Sequence, residues 1–237
     1  MENLSRQVDL VIFDCDGVLV DSEVISCRAH SETLTRHGYP ITPDQVLERF
    51  LGRSMRQAIL EVEAEMGRGL PDDFNAQVYA EIFRSFATSL QATPHIEETL
   101  AAIALPVCVA SSGPPEKIRA SLNRVGLWDR FAPHIFSAVQ VSHGKPAPDL
   151  FLLAAGQMQT PPARCLVIED SLAGIVAAVA AGMAVLGFHG GSHCRPGHGN
   201  GLRDAGAIAI FDDMRQLPGL IAQIDQKPGL VAGFPAL

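Results

Sequence analysis

The 237 residues are 47% hydrophobic and 19% charged, enough apolar material for one large domain or a core with a modest insertion. A formal net charge of −8 leaves no basic face for a polymer of phosphates or an anionic bilayer, so nucleic-acid and membrane partners are excluded, whereas a small anion in a local positive pocket is not. There is no long uncharged apolar run, no signal-peptide pattern and no Cys-x-x-Cys among the five cysteines; a cytoplasmic protein with reduced, core-packed thiols is expected, as a monomer or weak homo-oligomer.

Val8 to Phe13 is apolar except for Asp9 and predicts a buried strand. Asp14-Cys15-Asp16-Gly17 follows, with Gly17 letting the backbone turn out of the sheet and Cys15 pointing away from the two acids. Carboxylates buried at a strand end without partners are strongly destabilising, so the pair implies a cation.

Residues 21–89 then read as four helices with no strand between them. The first runs from about Ser22 to His37 and stops at Gly38. The second opens on the capping box Thr42-Pro43-Asp44-Gln45 and the third on Ser54-Met55-Arg56-Gln57; the fourth follows Pro71. From about Thr93 helices alternate with strands: helices at Ile96–Ile103, Glu116–Val125, Asp149–Gln157 and Leu172–Ala181, and strands at Pro106–Ala110, Ile135–Ala138, Cys165–Ile168, Ala184–Phe188 and Ala207–Phe211. This pattern predicts an α/β core, residues 1–20 with 90–237, whose mainly parallel sheet is covered on both faces and binds ligands at the C-terminal strand ends.

His189 to Gly201 is so rich in glycine that it reads as a surface loop near that edge. Its three histidines and Cys194 match no closed zinc spacing. The apolar tail Pro228–Leu237 is expected to dock on the protein or a partner.

Four strand ends supply chemistry: Asp14 and Asp16; Ser111 with Ser112 and Gly113; Lys145; and Glu169 with Asp170. A carboxylate attacking a phosphate dianion needs a hard cation and fixed positive groups around the transferring oxygens. Asp14, Glu169, Asp170 and the Asp16 carbonyl suit Mg2+. Lys145 neutralises charge, the Ser111 hydroxyl and the amides of Ser112 and Gly113 cradle a phosphoryl oxygen, and Asp16 serves as general acid and base. Each piece alone is an ordinary turn, cap or loop; their order, each after a strand, makes a phosphoryl-transfer site.

Phe13 to Glu23, Ser111, Gly144-Lys145-Pro146-Ala147-Pro148-Asp149 and Glu169-Asp170-Ser171 resemble the four motifs of haloacid dehalogenase superfamily phosphatases. The resemblance covers nearly the whole chain. It implies a Rossmann-like core, Mg2+ dependence and an aspartyl-phosphate intermediate, and makes the helical insert similar to the cap of the β-phosphoglucomutase-like branch, which closes over the core. Gly52, Arg53 and Arg56 then fall where the family presents a substrate-binding loop. Mutases of this branch carry a histidine at the position of Ser26, so hydrolysis is favoured over phosphosugar transfer, with His30 one turn further on. The absence of lysine between Asp21 and Gln91 opposes a Schiff-base phosphonatase, and the retained acids oppose both a dehalogenase and a non-catalytic phosphometabolite-binding module. Asp21 to Ala29 and Ser112-Gly113-Pro114 resemble bacterial sugar-phosphate phosphatases, and His95 stands where related chains often carry glycine.

Overall fold

The computed structural model describes residues 7–50 and 55–226. They form two compact units, one made of the chain up to Asp21 together with the chain from Ala92 onward, the other of Ser22–Gln91.

The first unit opens with β1 (Leu10–Phe13), and its chain returns to it after the helical unit. That unit consists of α1 (Glu23–Arg36), α2 (Pro43–Phe50), α3 (Met55–Met66) and α4 (Phe74–Ser89). Thr42 and Gln45 form the reciprocal capping box at the start of α2, the Thr42 N–H donating to Gln45 Oε1 at 2.8 Å and the Gln45 N–H to Thr42 Oγ1 at 3.2 Å. Gly38 ends α1 with φ 89°. The expected box at Ser54 lies outside the described residues, as does the tail from Pro228.

The first unit continues through α5 (Ile96–Ala102), β2 (Val107–Ser111), α6 (Pro115–Arg124), α7 (Trp128–Phe131), β3 (Ile135–Ser137), α8 (Asp149–Gln157), β4 (Cys165–Glu169), α9 (Leu172–Ala180), β5 (Ala184–Phe188), α10 (His198–Asp204), β6 (Ala209–Phe211) and α11 (Leu217–Gln226). Six parallel strands pair in the order β3-β2-β1-β4-β5-β6. All residues of β1, β2, β4 and β5 are buried, as expected of strands covered on both faces. Leu10, Ile12, Cys108, Val167, Leu150 and Phe151 belong to one core cluster. The chain runs from β1 outward to β2 and β3 and then crosses back to β4 on the other side of β1, so the crevice where the winding reverses opens at the C-terminal end of β1.

Most elements lie within a residue or two of their predicted bounds. The exceptions are the short α7 and the helix α11, which were not expected. The reading of residues 189–201 as a surface loop holds for 189–197 and is corrected beyond: His198 opens α10 behind Gly197 in the left-handed conformation (φ 90°), and within the loop His193 is buried. Glycine density concealed a compact segment in which glycines let backbone and rings approach closely. Among the described residues no helix is long and apolar enough to cross a membrane.

Candidate active site

Register puts the acids together. Phe13 pairs with Val109 of β2 and Ile168 of β4, and the Asp14 N–H donates to the Ile168 carbonyl at 3.0 Å, so Asp14 leaves the sheet beside the ends of both neighbours. Gly17 follows at φ 80°, and a Cβ there would come within 1.9 Å of Asp170 Oδ2. The turn therefore needs glycine both for its backbone conformation and for the approach of β4's carboxylate.

Lys145 reaches into this crevice, its Nζ donating at 2.6 Å to Asp14 Oδ1 and at 2.6 Å to Glu169 Oε1, with its side chain 4% exposed. Burial works against the ammonium, but the two carboxylates hold Lys145 above its ordinary value. The other oxygen of Glu169 accepts from the Ser171 N–H at 2.8 Å and the Ser171 hydroxyl at 3.0 Å. Ser171 Oγ in turn accepts the Gly174 N–H and caps α9. Both Glu169 oxygens are thus already engaged by protein donors, and Glu169 sits behind Lys145 as its anchor.

Burial pushes the Asp14 carboxyl well up; Lys145 opposes this, and Glu169, Asp170 and Asp16 add to it. Four carboxylates meet two lysines and one imidazole in this crevice, and the negative excess sits on oxygen donors. That donor set fits a hard divalent cation. Burial, then Asp16 and Asp14, push the Cys15 thiol well up, so it is no rival nucleophile.

The second lysine was not anticipated. Lys117, in the first turn of α6, is buried and places its Nζ 2.8 Å from Asp16 Oδ1. Its sequence signal was a lysine at the positive end of a helix dipole, a poor place for a cation unless a carboxylate faces it.

Ser111 is buried at the end of β2. The expected cradle needs one correction: the Gly113 N–H donates to Ser111 Oγ at 3.0 Å, and the Gly113 carbonyl accepts from the Ser137 hydroxyl at 2.6 Å, so the Gly113 amide is spent inside its own turn. The Ser111 hydroxyl proton and the Ser112 N–H are left for a ligand. A Cβ on Gly113 would stand 3.4 Å from Ser111 Oγ and 3.5 Å from Asp16 Oδ2, which places Asp16 across from the Ser111 turn.

On the far side of Asp170 lies the histidine segment. His193 Nε2 is 2.9 Å from Asp170 Oδ2, and the His198 Nε2–H donates to the Asp170 carbonyl at 2.6 Å. Burial opposes an imidazolium at His193, but Asp170 and Cys194 push its pKa up to about 11. Burial raises the Cys194 thiol, yet His193 and His198 more than offset it and bring it below its ordinary range.

Of the residues expected to read the substrate, Gly52 and Arg53 lie outside the described residues, as does the side chain of Arg56 at the start of α3. Ser26 is buried in α1, and the His30 Nδ1–H donates to its carbonyl at 2.8 Å. His30 lines a small apolar recess of the helical unit with Leu34, Phe50 and Val62.

The model of the haloacid dehalogenase-like hydrolase family matches residues 8–182. The chain is 35% identical over 191 residues to the 6-phosphogluconate phosphatase of Escherichia coli, spanning 80% of this chain and 86% of the relative. It is 30% identical over 207 residues to the phosphorylated carbohydrates phosphatase of Thermotoga maritima, spanning 86% and 94%. A solved haloacid dehalogenase-like protein of unknown function from Agrobacterium tumefaciens superposes with a TM-score of 0.82 at 39% identity, covering 92% of this chain and 99% of that one. Enzymes of this family generally use a divalent metal. The chain belongs to the haloacid dehalogenase-like hydrolase family and is an enzyme of the phosphoric monoester hydrolase class.

Proposed function

We propose that the enzyme is a Mg2+-dependent phosphatase that hydrolyses a small phosphorylated metabolite, a sugar phosphate or sugar-acid phosphate, through an aspartyl-phosphate on Asp14. The observation that carries this reading is the buried bridge from Lys145 to Asp14 and Glu169, which aims a carboxylate and an ammonium into one crevice ringed by further acids. The substrate class rests on the names of the relatives from E. coli and T. maritima.

In this mechanism Asp14 Oδ attacks phosphorus while Asp16 gives its proton to the departing alkoxide. Lys145 neutralises charge on Asp14 and on the transferring oxygens, and Glu169 with Ser171 fixes the lysine. The Ser111 hydroxyl and the Ser112 N–H bind a phosphoryl oxygen. Asp16, now a carboxylate steadied by Lys117, takes a proton from the water that attacks the aspartyl-phosphate, releasing inorganic phosphate and restoring Asp14. Asp14, Asp170 and the Asp16 carbonyl would hold Mg2+, with Glu169 behind them; the bound ion supplies the positive charge that lets an anionic nucleophile approach a phosphate dianion. Gly52, Arg53 and Arg56 are assigned to the leaving group, a guanidinium suiting an anionic or polyol substrate.

Phosphate release from a panel of sugar phosphates and sugar-acid phosphates, with and without Mg2+, tests the reading. Wild-type enzyme releases phosphate only with the metal, and Asp14→Asn releases none. Full turnover in Asp14→Asn would sink the covalent route. Conversion of glucose 1-phosphate to glucose 6-phosphate without net phosphate release would make the enzyme a mutase instead.

A further inference from the structure

The mechanism leaves unused a second group of donors. His193 and Cys194 are adjacent, His198 follows at the start of α10, and one ligand atom from each falls within 4.8 Å of the others. His193 Nε2 stands 3.5 Å from Cys194 Sγ and 2.9 Å from Asp170 Oδ2. Around one tetrahedral ion, nitrogen and sulfur ligands are about 3.5 Å apart, since metal–ligand bonds are about 2.0–2.3 Å. The cluster is therefore near ligation distance already.

Two features hold it there. The His198 Nε2–H is donated to the Asp170 carbonyl, which fixes the tautomer and leaves Nδ1 as the ligating atom. The His193 ring is 1% exposed and slotted between two glycines; a Cβ on Gly17 or Gly191 would come within 2.9 or 2.7 Å of its Cε1. Its Nδ1 is buried with no hydrogen-bond partner among the described residues, so hydrogen bonding alone does not account for the burial of this ring.

We propose that His193, Cys194 and His198 form a binding site for a borderline-soft transition ion, best fitted by Zn2+, with Asp170 as the shared fourth ligand that makes it antagonistic to the catalytic metal. Two imidazoles, a thiolate and a carboxylate are zinc donors, whereas the all-oxygen set around Asp14 is not selective for it. The antagonism rests on the assignment of Asp170 to the catalytic metal; the site itself does not.

Co2+ titration of the full chain, read by absorbance, tests the site apart from activity. One equivalent per chain is expected to give a thiolate-to-cobalt charge-transfer band and strong visible bands that Zn2+ abolishes. Cys194→Ser removes the charge-transfer band, and His198→Ala weakens binding by about tenfold or more. No such band in wild type, or the same band in Cys194→Ser, overturns the site. With Mg2+ in excess, Zn2+ should inhibit wild-type phosphate release at concentrations about tenfold below those needed for Cys194→Ser. Equal sensitivity of the two proteins, with the cobalt band present, overturns the antagonism alone.

Discussion

Lys117 Nζ lies 2.8 Å from Asp16 Oδ1, the two side chains only 11% and 13% exposed. Asp16 is thus held by its own lysine, separate from the lysine on Asp14. In the proposed mechanism Asp16 loses a proton in one half-reaction and takes one in the next, so its cation would set both its orientation and its proton affinity. Lys117→Met keeps the apolar stem and removes the charge; kcat is expected to fall by about 10- to 100-fold, part of the range general acid–base catalysis contributes. Lys117→Arg should recover part of the loss, and in Lys117→Met the limb of the pH–kcat profile belonging to Asp16 should move. An unchanged profile would leave Lys117 a purely structural residue.

Asp14 is one source of the pH dependence of the metal-free protein, acting at lower pH than His193. Its folded carboxyl binds a proton more tightly than in the unfolded chain, because burial and three neighbouring acids outweigh Lys145. A raised carboxyl contributes stability at low pH that is lost as pH rises from about 4 through the folded value. With chelator present, the melting temperature should fall over that interval. A divalent ion replaces the proton, so Mg2+ should raise the melting temperature more at pH 8 than at pH 5; at a hundredfold excess over Kd a bound ligand stabilises the fold by about 2.7 kcal/mol. The same increment at both pH values would remove Asp14 from the metal site.

Asp14, Asp16, Ser111, Glu169 and Asp170 were legible because each follows an apolar run whose strand character is plain, and a parallel sheet brings such ends together; Lys145 lies well past Ser137, the last residue of β3, and was read from its Gly-Lys-Pro setting. What stayed hidden depends on three-dimensional approach. Lys117 carries only the signal of a cation in the first turn of a helix, which does not name the carboxylate it faces. The partner of the Gly113 amide is its own turn, which a motif reading treats as free. The histidine segment looked like a surface loop because five glycines and a proline suggest no element, yet several of those glycines are there to let His193 and its neighbours pack.

Gly174, in α9, allows a close approach of the same kind to be tested at Glu169. A Cβ there would meet Glu169 Oε1 at 1.7 Å, with nowhere for the carboxylate to move without releasing Lys145. Helix propensity alone would favour alanine by about 1 kcal/mol. Gly174→Ala is therefore expected to cut kcat by about 100-fold or more, as a misplaced charge-stabilising group does. Gly113→Ala, whose nearest neighbour is 3.4 Å away, should keep most of the activity. Equal activities in the two variants would show that Glu169 does not position the lysine.

His95 explains a departure that the sequence alone left without a physical reason. It precedes α5 at φ 67° and ψ 5°, left-handed backbone that glycine adopts freely and a residue with a Cβ adopts at a cost of about 1–2 kcal/mol. Its ring lies 2.6 Å from Glu98 Oε1, but both groups are exposed, and such pairs contribute about 0–1 kcal/mol. Backbone relief exceeds the lost contact, and glycine is also an acceptable residue at a helix N-cap. His95→Gly should therefore stabilise the protein by about 1 kcal/mol, a rise of about 2–4 °C in Tm for a chain of this size, with catalytic parameters unchanged. A lower Tm in His95→Gly would mean that the Glu98 contact, not the backbone, decides the residue at this turn.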